Sequence, residues 1–555
     1  MPTIHECARH KLPPVCLGAL FALTALMPFA AQAACVETTQ SLTADGGDVC
    51  TTSHDAYTYN LGQRALFADG SGSVITVPSA VTISQGANWL NGNFGAVAVG
   101  NGGAVNFQGP LTLIQSGRAN SYGLAATDRA GGGGSINAQN VHITMANGGQ
   151  WRRAVMALGT GGEVDITGKA TIVATGGSAH RGLSAEEGGR ITYATADIDF
   201  TGWPGSAALR SINGTPSDPT RIFATGESVL KVSGTDSAAA LLSSGYIDLQ
   251  AIDITAADGA DAVTLAGDSL FKAEGGAVRV SGGGDAFSYR AVPGTNQSRA
   301  GLQNVNVMVT GGGALWNSSI PEADFVASGG VYTGRSQVQA GGALRVALVG
   351  DALWNMNSDS SLTSLEMDDT AKTRITDSHT LTTSAGMHSQ GDSALELNDG
   401  VADDTLTVDG NYMGSGFLRL DTDLGTGAGG ADVLHIKGNY DYGGLPMETT
   451  RIQMNLTGAA AGAATTGNGI LVVQVDGNSP AGAFVLDGTV WHGGYLYELK
   501  QVGKNWYLQS RAAPNPAASS SSATPVPALP GAGLALLGAG LALSAALTRR
   551  RRRGG

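Results

Sequence analysis

The chain has 555 residues, 83 of them glycine, with 14% charged and 6% aromatic residues and a formal net charge of -13. An acidic, lightly charged surface argues against nucleic acid as a partner, and 42% hydrophobic residues is too many for a disordered chain. Frequent Gly and β-branched residues with few prolines point instead to a long all-β solenoid of short strands and tight turns.

Residues 1–33 read as a secretory signal peptide. Arg9 and Lys11 supply the positive start, Val15 to Ala30 the apolar run, and Ala31-Gln-Ala33 the small-residue site, with cleavage between Ala33 and Ala34. This implies the Sec translocon and signal peptidase as partners. A lipoprotein reading through Cys35 is disfavoured, because Gln32 stands where a bulky aliphatic residue is preferred. Cys7 and Cys16 leave with the signal. Cys35 and Cys50 remain in an oxidising compartment, where a disulfide between them is expected to close a small cap over residues 34–50. Such a cap would cover the open edge of the first coil.

Residues 51–385 carry a repeat. Gly103-Ala-Val105, Gly134-Ser-Ile136, Gly162-Glu-Val164, Gly189-Arg-Ile191, Gly245-Tyr-Ile247 and Gly276-Ala-Val278 mark similar starts, with one interval long enough for two repeats. A second strand-like piece follows, as in Val141-His-Ile143, Ala170-Thr-Ile172, Asp197 to Phe200 and Ile252-Asp-Ile254. A third often comes next, as in Ala154 to Ala157, Arg181 to Ala185, Ala207 to Leu209 and Asp261 to Leu265. Three short alternating strands per repeat, joined by Gly-rich turns, suit one coil of a three-sided parallel β-helix. Val, Ile and Leu would point inward and Asp, Thr and Ser outward. Trp354 is expected to be a packed core aromatic.

Residues 386–511 differ, being richer in large residues: Phe417, Phe484, Trp491, Tyr495, Tyr497, Trp506 and Tyr507. Tyr495 to Leu499, a turn around Gly503-Lys-Asn505, and Trp506 to Leu508 read as a β-hairpin. In order come Asp404 to Tyr412, Gly416 to Leu424, Gly430 to Gly438, Asn468 to Val475, Gly494 to Leu499 and Asn505 to Ser510. Together these blocks resemble the C-terminal end of a pertactin-type autotransporter passenger, the autochaperone module that seeds passenger folding. Ala352-Leu-Trp354 through Met367 resembles the same family. The resemblance implies a right-handed parallel β-helix with a hairpin-rich C-terminal cap, at the surface or outer membrane of a Gram-negative bacterium. In that family a β-barrel comes next, and the residues after Ser510 are too few for even a small one.

Residues 512–528 are a Pro/Ala/Ser-rich linker. Within 529–555, Leu529 to Leu547 carries no charge; as a helix it spans about 28 Å, close to a bilayer core. Arg549, Arg550, Arg551, Arg552 and Arg553 follow, and the positive-inside rule keeps them cytoplasmic. The order resembles the sorting tails of the PEP-CTERM and IPTL-CTERM kind. That resemblance implies an exosortase-like transpeptidase as partner, with Val526, Pro527 and Pro530 in the recognition stretch. It also implies an inner-membrane intermediate held by the helix. A plain C-terminal anchor is the alternative.

No residue pattern assigns catalysis, a cofactor or a metal. Gly267-Asp-Ser-Leu270 matches the short motif of GDSL esterases, but Ser269 falls inside the repeat without a matched Asp-x-x-His, so the match is read as coincidental. The mature histidines lack metal-ligand spacing. Gly429-Gly-Ala-Asp432 resembles a single calcium-binding glycine repeat without tandem copies. Asp197, Asp199, Asp248 and Asp253 could line one face of a solenoid. The leading reading is a non-enzymatic surface rod or adhesin for an unknown host or surface ligand. A β-helical carbohydrate-active lyase or hydrolase is one alternative, and a degraded autotransporter that lost its barrel is another.

Overall fold

The computed structural model describes residues 35–512, except 60–62, 86–94, 117–119, 128–132, 147, 216, 295, 426–429, 443 and 459–461. The signal peptide with Ala33 and Ala34, the stretch with Val526, Pro527 and Pro530, the apolar run and Arg549 to Arg553 lie outside the described residues. Among the described residues no helix is long and apolar enough to cross a membrane.

The chain winds as a three-faced parallel solenoid. On the first face, Val97, Leu124, Val155, Leu183, Leu209, Ala240, Val263, Phe287 and Trp316 stack in register on successive coils. The second face stacks Val105, Ile136, Val164, Ile191, Ile222, Ile247 and Phe271. The third stacks Leu113, Ile143, Ile172, Ile198, Leu230, Ile254 and Val278. All are buried. Each Val, Leu, Ile or Phe among them contributes roughly 1.5–3 kcal/mol of burial, offset by the entropy of ordering its strand.

The predicted repeat starts are the second face, and the double interval is filled by Arg221-Ile222. One start is misplaced. Gly276-Ala-Val278 lies on the third face, where Gly276 pairs with Ile252 and Val278 with Ile254. The true second-face strand of that coil begins at Leu270 and carries no glycine before it. A glycine rule therefore slipped by one side of the triangle.

Where the third face turns into the first, an inward column alternates Ala and Gly: Ala96, Gly123, Ala154, Gly182 and Ala208. A Cβ at Gly123 would sit 2.4 Å from the Ala154 carbonyl, and one at Gly182 2.3 Å from that of Ala208. At the next corner, Glu187, Asn213 and Ser244 hold positive φ angles of 54°, 58° and 54° on successive coils, a conformation non-glycine residues adopt rarely.

Both ends are closed. Val36 and Glu37 pair antiparallel with Leu42 and Thr43, and Cys35 and Cys50 are joined, Cα to Cα 5.7 Å. The Glu37 carboxylate accepts the Ser53 N–H at 2.9 Å, the Ser53 hydroxyl at 2.7 Å and the Tyr57 hydroxyl. Midway, hydroxyls replace ladder carbonyls. The N–H of Ser336 donates to Ser360 Oγ at 3.1 Å, and that of Val338 to Ser361 Oγ at 2.8 Å. Trp354 is buried nearby against Trp316, its indole N–H donating to the Gly334 carbonyl at 2.9 Å. The strand His379–Ser389 runs across the 385/386 boundary, and parallel pairing continues to Phe484–Leu486.

Candidate functional site

The most individual part of the rod is its last end. Tyr495–Val502 and Asn505–Ala512 form an antiparallel hairpin. Its second strand turns against the first face, with Ile470 opposite Leu508. An antiparallel strand thus terminates a parallel ladder and leaves no matching edge for another coil. Trp506 packs edge-on against Phe484 at 5.6 Å, and its N–H reaches Ser479 Oγ at 2.9 Å. Tyr412 and Tyr440 complete this buried cluster. Trp491, one of the large residues of this segment, is 50% exposed, because it sits on a short outer strand that pairs with Tyr495–Tyr497.

Three buried aspartates lie just inside the cap. Asp432 accepts the backbone N–H of Asp404 at 3.1 Å through one oxygen and that of Asp421 at 2.6 Å through the other. Asp421 accepts the Gly400 N–H at 2.5 Å and the Asn455 amide. One oxygen of Asp404, itself 6% exposed, has no hydrogen-bond partner. Burial, then the charges of Asp399, Asp403, Asp377 and Asp421, push the Asp404 carboxyl up to about 6. Burial, aided by Asp421 and Asp404 and opposed by the two N–H donors, pushes Asp432 up to about 7. Among the described residues no group of acids, histidines or cysteines has the geometry to hold a metal.

Outside this cluster runs a charged ladder. Glu396 takes Lys372 at 3.1 Å, Arg374 at 2.7 Å and Arg419 at 2.6 Å. Burial opposes its charge, but these cations outweigh it and hold the carboxyl below the usual range. The groove alongside has a volume of about 670 Å³ and is walled by Arg374, Arg419, Asp399 and Asn455.

Ser269 sits in a corner turn, 2% exposed, its hydroxyl donating to the Ala266 carbonyl at 2.5 Å. An Asp-x-x-His does occur, Asp432-Val-Leu-His435, which the sequence reading did not match. It lies several coils further along the rod, with Asp432 in the acid cluster and His435 against Asp476 at 2.9 Å. The four aspartates proposed for one face do not converge. Asp197 and Asp253 lie on the third face, paired with Lys169 at 3.2 Å and Arg279 at 2.6 Å. Asp199 caps its own turn at Thr201, and Asp248, on the second face, takes the Tyr246 hydroxyl.

Sequence reasoning missed Arg152. It is fully buried and donates to the carbonyls of Gln115 at 2.8 Å, Ala146 at 2.6 Å and Gly176 at 2.9 Å. His180 stacks on the next coil and contacts the same Gly176 carbonyl at 2.8 Å. Burial, then Arg152, push the imidazole down to about 4, so it is neutral at pH 7. No motif signals such a residue.

The described chain is a parallel β-helix whose last coils are closed by an antiparallel, aromatic-centred cap. Residues 378–499 match the family model "Autochaperone Domain Type 1". A stretch of 172 residues is 32% identical to the probable autotransporter YfaL of Escherichia coli K12, covering 30% of this chain and 12% of that protein. Another of 111 residues is 36% identical to the uncharacterized protein YdeU of the same strain, covering 19% of this chain and 22% of YdeU. The chain thus spans less than a quarter of the length of these relatives. Solved structures that resemble it include the autotransporter UpaB from E. coli strain CFT073 (12% identity, TM-score 0.33, 86% of this chain and 99% of that one). The Haemophilus influenzae Hap adhesin is another (11% identity, TM-score 0.32, 84% and 64%). Residues 378–499 are thus a type 1 autochaperone domain, carried on a parallel β-helix that is similar in part to a probable autotransporter.

Proposed function

We propose that the protein is a non-enzymatic rod displayed at the cell surface, where it serves adhesion. The observation that carries this reading is the three-faced parallel ladder of the described residues, closed at its far end by the autochaperone cap. The treatment of outward carboxylates supports it. Asp253, Asp261, Asp324 and Glu396 are each clamped by an arginine, so they brace the rod rather than stand ready as acids and bases. The similarity to a probable autotransporter agrees with export to the surface or outer membrane.

The tail belongs to the same proposal. Leu529 to Leu547 would hold an inner-membrane intermediate with Arg549 to Arg553 inside, and an exosortase-like transpeptidase would cut near Val526 to Pro530. Cells expressing the full chain should expose protease-sensitive rod and attach to host cells or matrix, whereas cells without it should not. Surface protein without attachment to any surface tried would overturn the adhesive role. Mass spectrometry of the mature protein should find no arginine cluster, and a mature chain that retains it would overturn processing while leaving a plain anchor.

A further inference from the structure

The second face carries a built cleft. On consecutive coils Arg190, Arg221, Tyr246 and Leu270 stand in register as one outward row. Beside them the chain leaves the rod at Asn213 and returns at Thr220. This excursion is pinned at several points. Asn213 and Gly214 donate to the carbonyls of Ser243 and Ser244, both at 2.8 Å, and Thr215 and Asp218 exchange backbone bonds of 3.0 and 3.1 Å. Thr220 Oγ1 donates to the Ile212 carbonyl at 3.0 Å, and the Asp218 carboxylate reaches back to the Thr160 hydroxyl. The wall is therefore formed before any ligand arrives, which lowers the ordering cost of binding.

The cleft has a volume of about 640 Å³, with Pro219, Tyr246 and Leu270 as apolar floor and Arg221, Ser244 and Asp268 at the rim. Arg221 and Lys272 each lie 6.0 Å from the Tyr246 ring centre. Elsewhere on this face arginines are spent on carboxylates, as Arg299 and Arg345 are on Asp324. Among the described residues no such ion pair takes Arg221 or Arg190. A smaller depression, walled by Arg190, Asp218 and Pro219, continues from Arg221 on the other side.

An apolar ring platform beside an uncommitted guanidinium fits a ring-shaped ligand bearing a carboxylate. The CH face of a pyranose covers an aromatic ring, and Arg pairs with carboxylate through two parallel N–H bonds. Coils rise about 4.8 Å, close to the rise of one pyranose unit in an extended glycan, so a chain lying along the rod would meet Arg190 and Arg221 with successive sugars. We propose that this cleft binds a uronate-bearing glycan, one pyranose on Tyr246 and Leu270 and its carboxylate on Arg221. The proposal deepens the adhesive reading and rests on it for its biological sense.

The test titrates the full chain with tetragalacturonate and with its fully methyl-esterified, neutral counterpart. The acid form should bind at least about ten-fold tighter than the ester, a difference of about 1.4 kcal/mol. Arg221→Ala and Tyr246→Ala should each weaken the acid form by about ten-fold or more, while Tyr246→Phe stays within about three-fold, since it keeps the platform. Unchanged circular dichroism and melting establish that the variants fold, and Arg221→Lys, which keeps charge but not the fork, should fall between. Equal binding of acid and ester, full binding by Arg221→Ala, or no saturable binding by the parent would each overturn the site. Attachment assays separate the two readings. Parent cells that attach, with Arg221→Ala cells attaching equally, sink the cleft and spare adhesion. A purified chain that binds the uronate on cells that never attach does the reverse.

Discussion

Replacing Asp404 by Asn should stabilise the cap at pH 8 and do little at pH 4.5. The Asp404 carboxyl rises in the fold to about 6, and that of Asp432 to about 7, both from 3.8. A raised acid means that the native state binds protons which the unfolded chain releases. Stability should therefore grow as pH falls from about 7 towards about 4, and this contribution is lost once pH has risen through about 7. A shift of roughly two units corresponds to about 3 kcal/mol. Asp404 and Asp432 influence each other, so about 1–2 kcal/mol is expected from neutralising one member. Asn suits this position because one Asp404 oxygen has no partner, and an amide N–H there can donate to a neighbouring carboxylate. Asp432→Asn should do the opposite. Both Asp432 oxygens accept backbone N–H groups, and an amide would turn a donor against one of them, costing about 1–3 kcal/mol. Native-state hydrogen exchange of the amides in 404–436 reads the cap directly, which matters because a long solenoid does not unfold as one unit. The reasoning fails if Asp404→Asn is no more protected than the parent at pH 8, or if it keeps the parent's pH slope.

Three further outcomes are expected. Arg152→Met should cost about 2–4 kcal/mol of local stability, because three buried or part-buried carbonyls each lose a charged donor; unaltered exchange at Gln115 to Gly176 would contradict this. For Glu37, burial works against the charge, but bonds from Tyr57, Ser53 and His54 outweigh it and hold the carboxyl down at about 2, against 4.5. Its contribution, about 2–3 kcal/mol, is present above pH 4.5 and lost as pH falls towards 2; Glu37→Gln should remove it at neutral pH, and an unchanged N-terminal melt would count against it. Deleting Asp403 to Ser510 should leave the rod protease-sensitive, since a solenoid needs a terminal cap; a truncated rod as resistant as the full chain would show that the cap is dispensable.

Much of the rod was legible because its information is periodic. Val164, Ile191 and Ile247 recur behind glycine, and one ladder joins them. What failed was the assumption that glycine marks one corner only. Thr220 and Ser269 precede two second-face strands, so Ile222 and Phe271 were passed over, while Gly276 was taken for a start. Long-range polar contacts left no trace in the pattern. Arg152 looks like a surface residue beside Trp151, yet its guanidinium lies inside and serves carbonyls far apart in sequence. Asp432 stands out in sequence only within the block Gly430 to Gly438, and its burial follows only from the stacking of Asp404 and Asp421 around it. The cleft was invisible for the same reason, since Arg190, Arg221 and Tyr246 become neighbours only once the coil length between them is known.

The acid cluster and the aromatic cap together suggest why this end differs from the rest. In a stack of coils each unit is stabilised by its neighbours, and the last has only one. The cap compensates with larger buried rings, Tyr412, Phe484 and Trp506, and with an antiparallel strand that satisfies the final ladder. Yet it also retains carboxyls that oppose folding at neutral pH. An end optimised only for stability would carry Asn or Ser there. Asp432 resists that replacement because both of its oxygens receive N–H groups, and this fixes how Asp404 and Asp421 lie across the coil. Geometry at the seam between rod and cap is thus held by a group whose charge costs stability. The opposite responses expected for Asp404→Asn and Asp432→Asn follow directly from this division, because the first removes only repulsion and the second removes the bonds that set the seam.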